Sequence, residues 1–258
     1  MKLNVVHSGN IGDILYSIPF LLGILERKKY TGINFYLRLN TPAQYSNKHP
    51  LGNVLLNKAY ADALLPLLKH QGYINEAAIY THQRIDIDLD EFRKLPIYFQ
   101  TGVIPRWYFW LGDAEYDLSR PWVFASPADN KYKDKVLVSR THRHRSSIIN
   151  YKFMNAYAKD IVFVGTEDEW KLFKVECPDC TEWVMFKTVL DMAKAYAACK
   201  FFVGNQGMPY TLAESMKINR LLEANAQAPN NIPFSTNGQD ALFQGPFEKK
   251  FKKMYERV

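Results

Sequence analysis

The chain has 258 residues, 47% of them hydrophobic and 23% charged, and 33 Lys and Arg against 26 Asp and Glu give it a formal charge of +7. This is the composition of a globular protein and excludes a disordered or fibrous one. No run of 18 apolar residues is present, and the opening Met1-Lys2-Leu3-Asn4-Val5 lacks the apolar segment and cleavage site of a signal peptide, so a cytoplasmic location is expected. The basic excess suits a solvated surface, and it leaves open contact with nucleic acid, with a membrane surface from one side, or with a phosphorylated small molecule.

Lys2 to His7 reads as a strand and Ile11 to Arg27 as a helix, with Ile14, Leu15, Ile18, Leu21, Leu22 and Leu25 at helical spacing and Pro19 as a point of kinking. Ile33 to Leu37 alternates as a second strand, residues 40 to 55 are loop-like, and Ala59 to Lys69 is helical. Ala77 to Tyr80 predicts a strand, and the strict alternation of Ile85 to Asp90 predicts an edge strand or an extended loop. Pro96 to Trp122 is aromatic-rich and irregular, and reads chiefly as core.

A second series follows a linker expected over Ser126 to Asp134. Its strands are Lys135 to Ser139, Asp160 to Gly165, Phe201 to Val203 and Asn219 to Glu223. Its helices are Asn150 to Tyr157, Thr166 to Phe173, Val189 to Ala198 and Pro209 to Met216, with Thr166 and Glu169 spaced as a capping box. Strands alternating with helices at this spacing predict an α/β protein built of parallel sheets. The division expected is 1–125, 126–240 and a basic amphipathic helix within 241–258, running from Phe247 to Val258. Three cysteines are too few for a disulfide framework. Cys177 and Cys180 lack the further ligands of a zinc site and read as a turn with two thiols, and Cys199 reads as core.

Two strand-to-helix turns carry the chemistry. In His7-Ser8-Gly9-Asn10-Ile11-Gly12-Asp13 the glycines permit close approach of a ligand. Asp13 lies in the first helical turn, where a carboxylate complements the helix dipole or serves as a general base. In Gly204-Asn205-Gln206-Gly207-Met208-Pro209 the amides of a helix N-terminus and two amide side chains suit a diphosphate, or cap the helix. Glu223 ends the next strand, where a carboxylate can face water or accept both hydroxyls of a ribose. Arg140, Arg143 and Arg145 follow the strand that ends at Ser139, either as a flexible basic loop or to grip a phosphate with paired hydrogen bonds, to which Ser139 and Thr141 would add hydroxyls. Gly165 and Thr166 end a further strand, in a place that suits a nucleotide or a helix cap.

Together the two motifs, Gly9-x-x-Gly12-Asp13 before an apolar helix containing Pro19, and Val203-Gly204-Asn205-Gln206-Gly207 before Leu212-Ala213-Glu214, resemble those of the lipopolysaccharide heptosyltransferases and the related family 9 glycosyltransferases. The resemblance implies a GT-B fold, with two Rossmann-like halves whose parallel sheets face a central cleft. It places a nucleoside diphosphate-sugar donor on the C-terminal half and a glycan or lipid-linked acceptor on the N-terminal half, with no metal cofactor. By the same resemblance Asp13 is the catalytic base, and Gly9, Asn10 and Gly12 adjoin the acceptor. Gly204, Asn205, Gln206 and Gly207 match the family's donor-diphosphate turn and Glu223 its ribose carboxylate, while Met208 in the same turn and Ser139, Arg140, Arg145, Gly165 and Thr166 at strand ends are expected donor contacts from their positions. The terminal helix is expected to cross back to the first half. A glycosyltransferase acting on nucleic acid and a nucleotide-binding module without turnover are the alternatives. A dehydrogenase is disfavoured, because no G-x-G-x-x-G follows the first strand.

Overall fold

Short runs that are apolar on both faces mark strands covered on both sides, as in parallel α/β sheets. The protein, described by a computed structural model at residues 1–27, 29–45, 52–99 and 102–257, contains two such sheets. It divides into a unit of Met1–Asp117, Trp122–Phe124 and Thr188–Leu190 and a second unit of the remaining segments, Leu118–Pro121, Ala125–Lys187 and Asp191–Val258. Residues 46–51 of the expected loop and the terminal Val258 lie outside the described residues.

The first unit runs β1 (Leu3–His7), α1 (Ile11–Glu26), β2 (Ile33–Leu37), α2 (Lys58–His70), β3 (Ile74–Ile79), β4 (Ile87–Asp88) and the short α3 (Ile104–Tyr108). The strands are parallel in the order β3-β2-β1-β4, with Leu3 opposite Ile33 and Val5 opposite Ile87. The chain therefore builds outward from β1 to β3, then returns to the other side of β1 to add β4. The alternating Ile85-to-Asp90 stretch supplies only two strand residues before a 3₁₀ turn at Leu89–Lys94. In the aromatic stretch Trp107, Tyr108 and Trp122 are buried, whereas Tyr98 and Trp110 are exposed. Pro19 cannot donate to the carbonyl of Leu15. The indole N–H of the buried Trp122 donates to that carbonyl instead, at 3.0 Å.

The second unit runs β5 (Val136–Ser139), β6 (Ile161–Val164), α4 (Glu167–Glu176), β7 (Glu182–Val184), α5 (Val189–Ala198), β8 (Phe201–Asn205), α6 (Met208–Met216), β9 (Arg220–Glu223), β10 (Gly238–Ala241) and α7 (Gln244–Arg257), although α5 begins in the segment grouped with the first unit. Its six parallel strands have the order β10-β9-β8-β5-β6-β7. Chain order reverses between β5 and β8.

Three expectations change. The segment Ser126–Asp134 is no linker: it lies within the second unit, carries a 3₁₀ turn with buried Tyr132, and the Asp129 N–H donates to the Lys194 carbonyl at 2.9 Å. The terminal helix does not form a separate crossing segment. Phe247, Phe251 and Met254 of α7 are part of the second unit's core with Val136, Phe163 and Phe201. The helix expected at Asn150 to Tyr157 is a 3₁₀ run, Lys152–Asp160.

Candidate functional site

In open α/β sheets, ligands bind beyond the carboxyl ends of the strands where the strand order reverses. Each unit has one such place, and the expected motifs fall on both.

In the first unit the reversal lies between β1 and β4. His7 closes β1 and is fully buried. Its Nδ1 stands 3.0 Å from Asp90 Oδ1 and 2.9 Å from the Gly9 amide nitrogen, and its Nε2 stands 2.9 Å from the Tyr108 hydroxyl. The carboxylate is the stronger partner for an Nδ1 proton. Burial keeps the Tyr108 hydroxyl beside Nε2 protonated by pushing the phenol well above its usual range. Asp90 also accepts the Ser8 N–H at 2.9 Å. Burial acts to raise its pKa, but the hydrogen bond and charge of His7, the Ser8 amide and the Arg93 cation outweigh it and hold the carboxyl at about 2.

Asp13, in the first turn of α1, is a quarter exposed. Among the described residues its carboxylate accepts no hydrogen bond, and its nearest cation is Arg93, with Nη2 at 3.7 Å from Oδ2. Arg93 Nε lies 3.7 Å from Asp90 Oδ1, and its guanidinium sits 4.5 Å over the ring of Phe92. Gly9 is required by space: a Cβ there would meet His7 Cε1 at 2.6 Å, Arg93 Nη2 at 3.0 Å and Asp13 Cβ at 3.1 Å. Asn10 caps no helix amide and donates to the Tyr45 hydroxyl at 2.8 Å. The start of α1, including Gly12, therefore has no side-chain cap. Gly9, Asn10, Gly12 and Asp13 are thus brought together as expected. His7, Asp90, Arg93 and Tyr108 join them and were not read as site residues. The alternation of Asp86, Asp88 and Asp90 was their visible signal.

In the second unit Ser139 at the end of β5 stands opposite Gly204 of β8. A Cβ at Gly204 would lie 2.5 Å from the Ser139 carbonyl, so this crossing of strands needs glycine. α6 starts at Met208 with no side-chain cap, its preceding Gly207 in extended backbone. No acceptor lies within the described residues for the amides of Gln206, Gly207 and Met208. Beside them Ser139 Oγ and Gln206 Oε1 are buried without a partner, while Gln206 Nε2 donates to Asn230 at 2.8 Å. Buried polar atoms left unpaired are uncommon in folded proteins.

Other expected donor contacts are turned inward. Arg140, 5% exposed, donates from Nε and Nη2 to the fully buried Glu223 at 2.8 and 3.2 Å, from Nη1 to Glu176 at 2.7 Å and from Nη2 to the Ile149 carbonyl at 2.6 Å. Glu223 also accepts the Ser146 N–H at 2.6 Å. Arg140 and Glu223 thus form a buried clamp under the 141–146 loop. Glu223 faces neither water nor a ribose, because every residue of β9 is buried. The Asn205 side chain is 2% exposed and accepts the Thr141 N–H at 2.8 Å while donating to the carbonyls of Thr141 and Arg143 at 3.0 and 2.6 Å. It fastens the loop, and the amides without an acceptor among the described residues begin after it.

Arg145 is the half-buried cation of that loop. Nε and Nη2 donate to the carbonyls of Thr141 and Arg140 at 3.0 and 2.9 Å, which fixes the guanidinium and leaves Nη1. Burial, then the charge of Arg140, lower its affinity for its proton. Gly165 and Thr166 are occupied by the start of α4, where Thr166 and Glu169 complete the capping box, and the Trp183 indole donates to the Gly165 carbonyl at 2.9 Å. Cys177 and Cys180 are both buried in the core, the former donating its S–H to the Tyr151 carbonyl at 2.9 Å; Cys199 is only partly buried.

No protein-family model matches the sequence, and no curated protein is similar to it at the sequence level. Solved structures do match in fold. The chain is similar to the glycosyl transferase family 9 protein of Veillonella parvula, with 11% identity over 100% of this chain and 89% of that one and a TM-score of 0.58. It is similar to the E. coli ADP-heptose lipopolysaccharide heptosyltransferase II, with 11% identity over 100% and 99% of the two chains and a TM-score of 0.64. It is also similar to the E. coli heptosyltransferase WaaC solved with ADP-2-deoxy-2-fluoro heptose, with 10% identity over 98% and 99% and a TM-score of 0.55. The chain shares with these transferases a GT-B-like α/β fold of two parallel sheets with alternating helices.

Proposed function

We propose that the chain is a glycosyltransferase that moves a sugar from a nucleoside diphosphate-sugar to the hydroxyl of a glycan or lipid-linked acceptor. The observation that carries this reading is the β5–β8 reversal: uncapped amides at the start of α6, flanked by two buried polar atoms without partners and by the fixed Arg145. Such a place suits a diphosphate. In this reading Asp13 of the first unit takes the proton of the acceptor hydroxyl. The acceptor oxygen bonds to the anomeric carbon as the bond from that carbon to the diphosphate oxygen breaks. The electron pair leaves with the diphosphate, whose added charge is met by the amides of Gln206, Gly207 and Met208 and by Arg145. Fixed donors of this kind typically contribute about 100- to 1000-fold each. They supply the positive field that a divalent cation gives in other transferases, so the reading requires no metal. The similar heptosyltransferases make ADP-heptose the first donor to test.

The experiment pairs thermal shifts with nucleoside diphosphates against release of the nucleoside diphosphate from ADP-heptose, UDP-glucose and GDP-mannose. Asp13→Asn is expected to keep the thermal shift and lose about 100- to 10,000-fold in turnover. Arg145→Ala is expected to weaken nucleotide binding about tenfold or more, the strength of one charged hydrogen bond. An Asp13→Asn variant with full activity overturns the assignment of the base; binding without release by the wild type identifies a module without turnover.

A further inference from the structure

The carboxyl edge of the second sheet holds three large apolar side chains in the open. Ile148, in the loop that follows β5, is 54% exposed, and Leu242 and Phe243, which follow β10, are 45% and 62% exposed. Both stretches are tied down. Arg140 donates to the Ser146 and Ile149 carbonyls at 3.4 and 2.6 Å, and the Ile148 N–H donates to Ser146 Oγ at 3.3 Å. The Phe243 carbonyl accepts the Phe247 N–H of α7 at 3.1 Å. Two reciprocal hydrogen bonds then join the stretches: the Asn150 N–H donates to Gln244 Oε1 at 2.7 Å, and Gln244 Nε2 donates to the Asn150 carbonyl at 3.1 Å. Ile148 stands two residues before this joint and Phe243 one residue before it. Large apolar chains fixed together in the open differ from single ones scattered over a surface, and they mark a place of contact.

The charge beside them says what kind of contact. In α7, Phe247, Phe251 and Met254 face the core, and Lys249, Lys252 and Lys253 are exposed on the opposite side. They lie within about three helical turns of Phe243. Lys250 turns aside to the Asp240 carbonyl, Glu248 accepts from Gln244 at 2.7 Å, and Glu256 lies at the far end of the helix. An apolar tip beside a basic helix face suits an anionic bilayer, where the apolar chains enter the acyl boundary and the ammonium groups meet lipid phosphates. A nucleic acid would engage the lysines and leave Ile148 and Leu242 without a role, because bases stack on aromatic faces. A second copy would set like charges against each other across a two-fold axis.

We propose that Ile148, Leu242 and Phe243, with Lys249, Lys252 and Lys253, dock the second unit on a membrane surface that carries anionic lipid. Among the described residues no helix is long and apolar enough to cross a membrane, and the contact proposed is with its surface. The proposal goes beyond sugar transfer and stands without it. It bears on that reading through position: the loop of Ile148 also holds Arg145, and β8 and β10 end on the same edge of one parallel sheet, so docking sets the start of α6 near the bilayer.

The test is sedimentation of the full chain with vesicles of phosphatidylcholine alone or mixed with phosphatidylglycerol, a readout that needs no turnover. The chain should bind the mixed vesicles and not the neutral ones, and added salt should release it. Leu242→Ser and Phe243→Ser should each weaken binding about tenfold, the loss of one buried apolar side chain. Phe243→Trp should keep it, since an indole suits the headgroup boundary. Lys249→Gln, Lys252→Gln and Lys253→Gln should each weaken it about fivefold. All of these side chains are exposed, so the variants should melt with the wild type, which separates lost docking from lost folding. Equal binding to both vesicles, binding to neither, or binding that Leu242→Ser and Phe243→Ser leave intact overturns the proposal. So does a salt-sensitive affinity for RNA or a concentration-dependent dimer seen without vesicle binding, which assigns the face to a nucleic acid or to a second copy. A wild type that turns over no sugar donor changes none of these outcomes.

Discussion

At the scale of single residues, Asp90 carries a measurable share of stability. Its folded carboxyl sits at about 2 against an ordinary value of 3.8, so the folded state binds its proton less readily than the unfolded one. The stabilisation is present above the unfolded value and disappears as pH falls from about 4 to about 2. It amounts to roughly 2 kcal/mol at neutral pH. Asp90→Asn should therefore lower the free energy of urea unfolding by about that amount at neutral pH, and the gap to the wild type should close near pH 2. Asp13 was legible from its place one turn into the first helix, and the Gly204-to-Met208 turn from its glycines. Arg140 and Glu223 were not. The sequence puts both at carboxyl ends of strands, but only the covering of β9 on both faces turns them toward each other.

At the scale of elements, the β5–β8 pair depends on the bareness of Gly204. A methyl group there meets the backbone of Ser139, the last residue of a strand that two ladders hold in place. Gly204→Ala should cost about 1–3 kcal/mol by overpacking, read by urea unfolding, and should weaken nucleotide binding as α6 shifts. Helices and central strands were readable from their apolar periodicity. β7 and β10 were missed for a physical reason: Glu182-Trp183-Val184 and Gly238-Gln239-Asp240-Ala241 are short edge strands whose pairing comes from neighbours and not from their own propensity. The 3₁₀ run at Lys152–Asp160 likewise carries an apolar face at helical spacing, and local packing decides its tighter winding.

At the scale of the molecule, the alternation of strands and helices announced parallel sheets, but strand order is a tertiary property. The two reversals, and with them the reason both motifs are candidate sites, appear only when β4 is seen beside β1 and β8 beside β5. Adding ADP should slow amide hydrogen exchange over residues 140–146 and 205–211 and leave β1 to β4 unchanged, which mass spectrometry reads directly; protection confined to other segments would count against the diphosphate site. The indole of Trp122 has one more consequence. It supplies the donor that Pro19 withholds from Leu15, from a segment that also exchanges two hydrogen bonds with Gln71 through Phe124. A nascent chain that has emerged only as far as Asp117 holds every strand of the first sheet yet lacks that donor, with a tryptophan-sized gap against α1. Maturation of the amino-terminal unit thus waits for the polypeptide to return, and a fragment ending at Ala125 should be able to close the gap where one ending at Asp117 cannot.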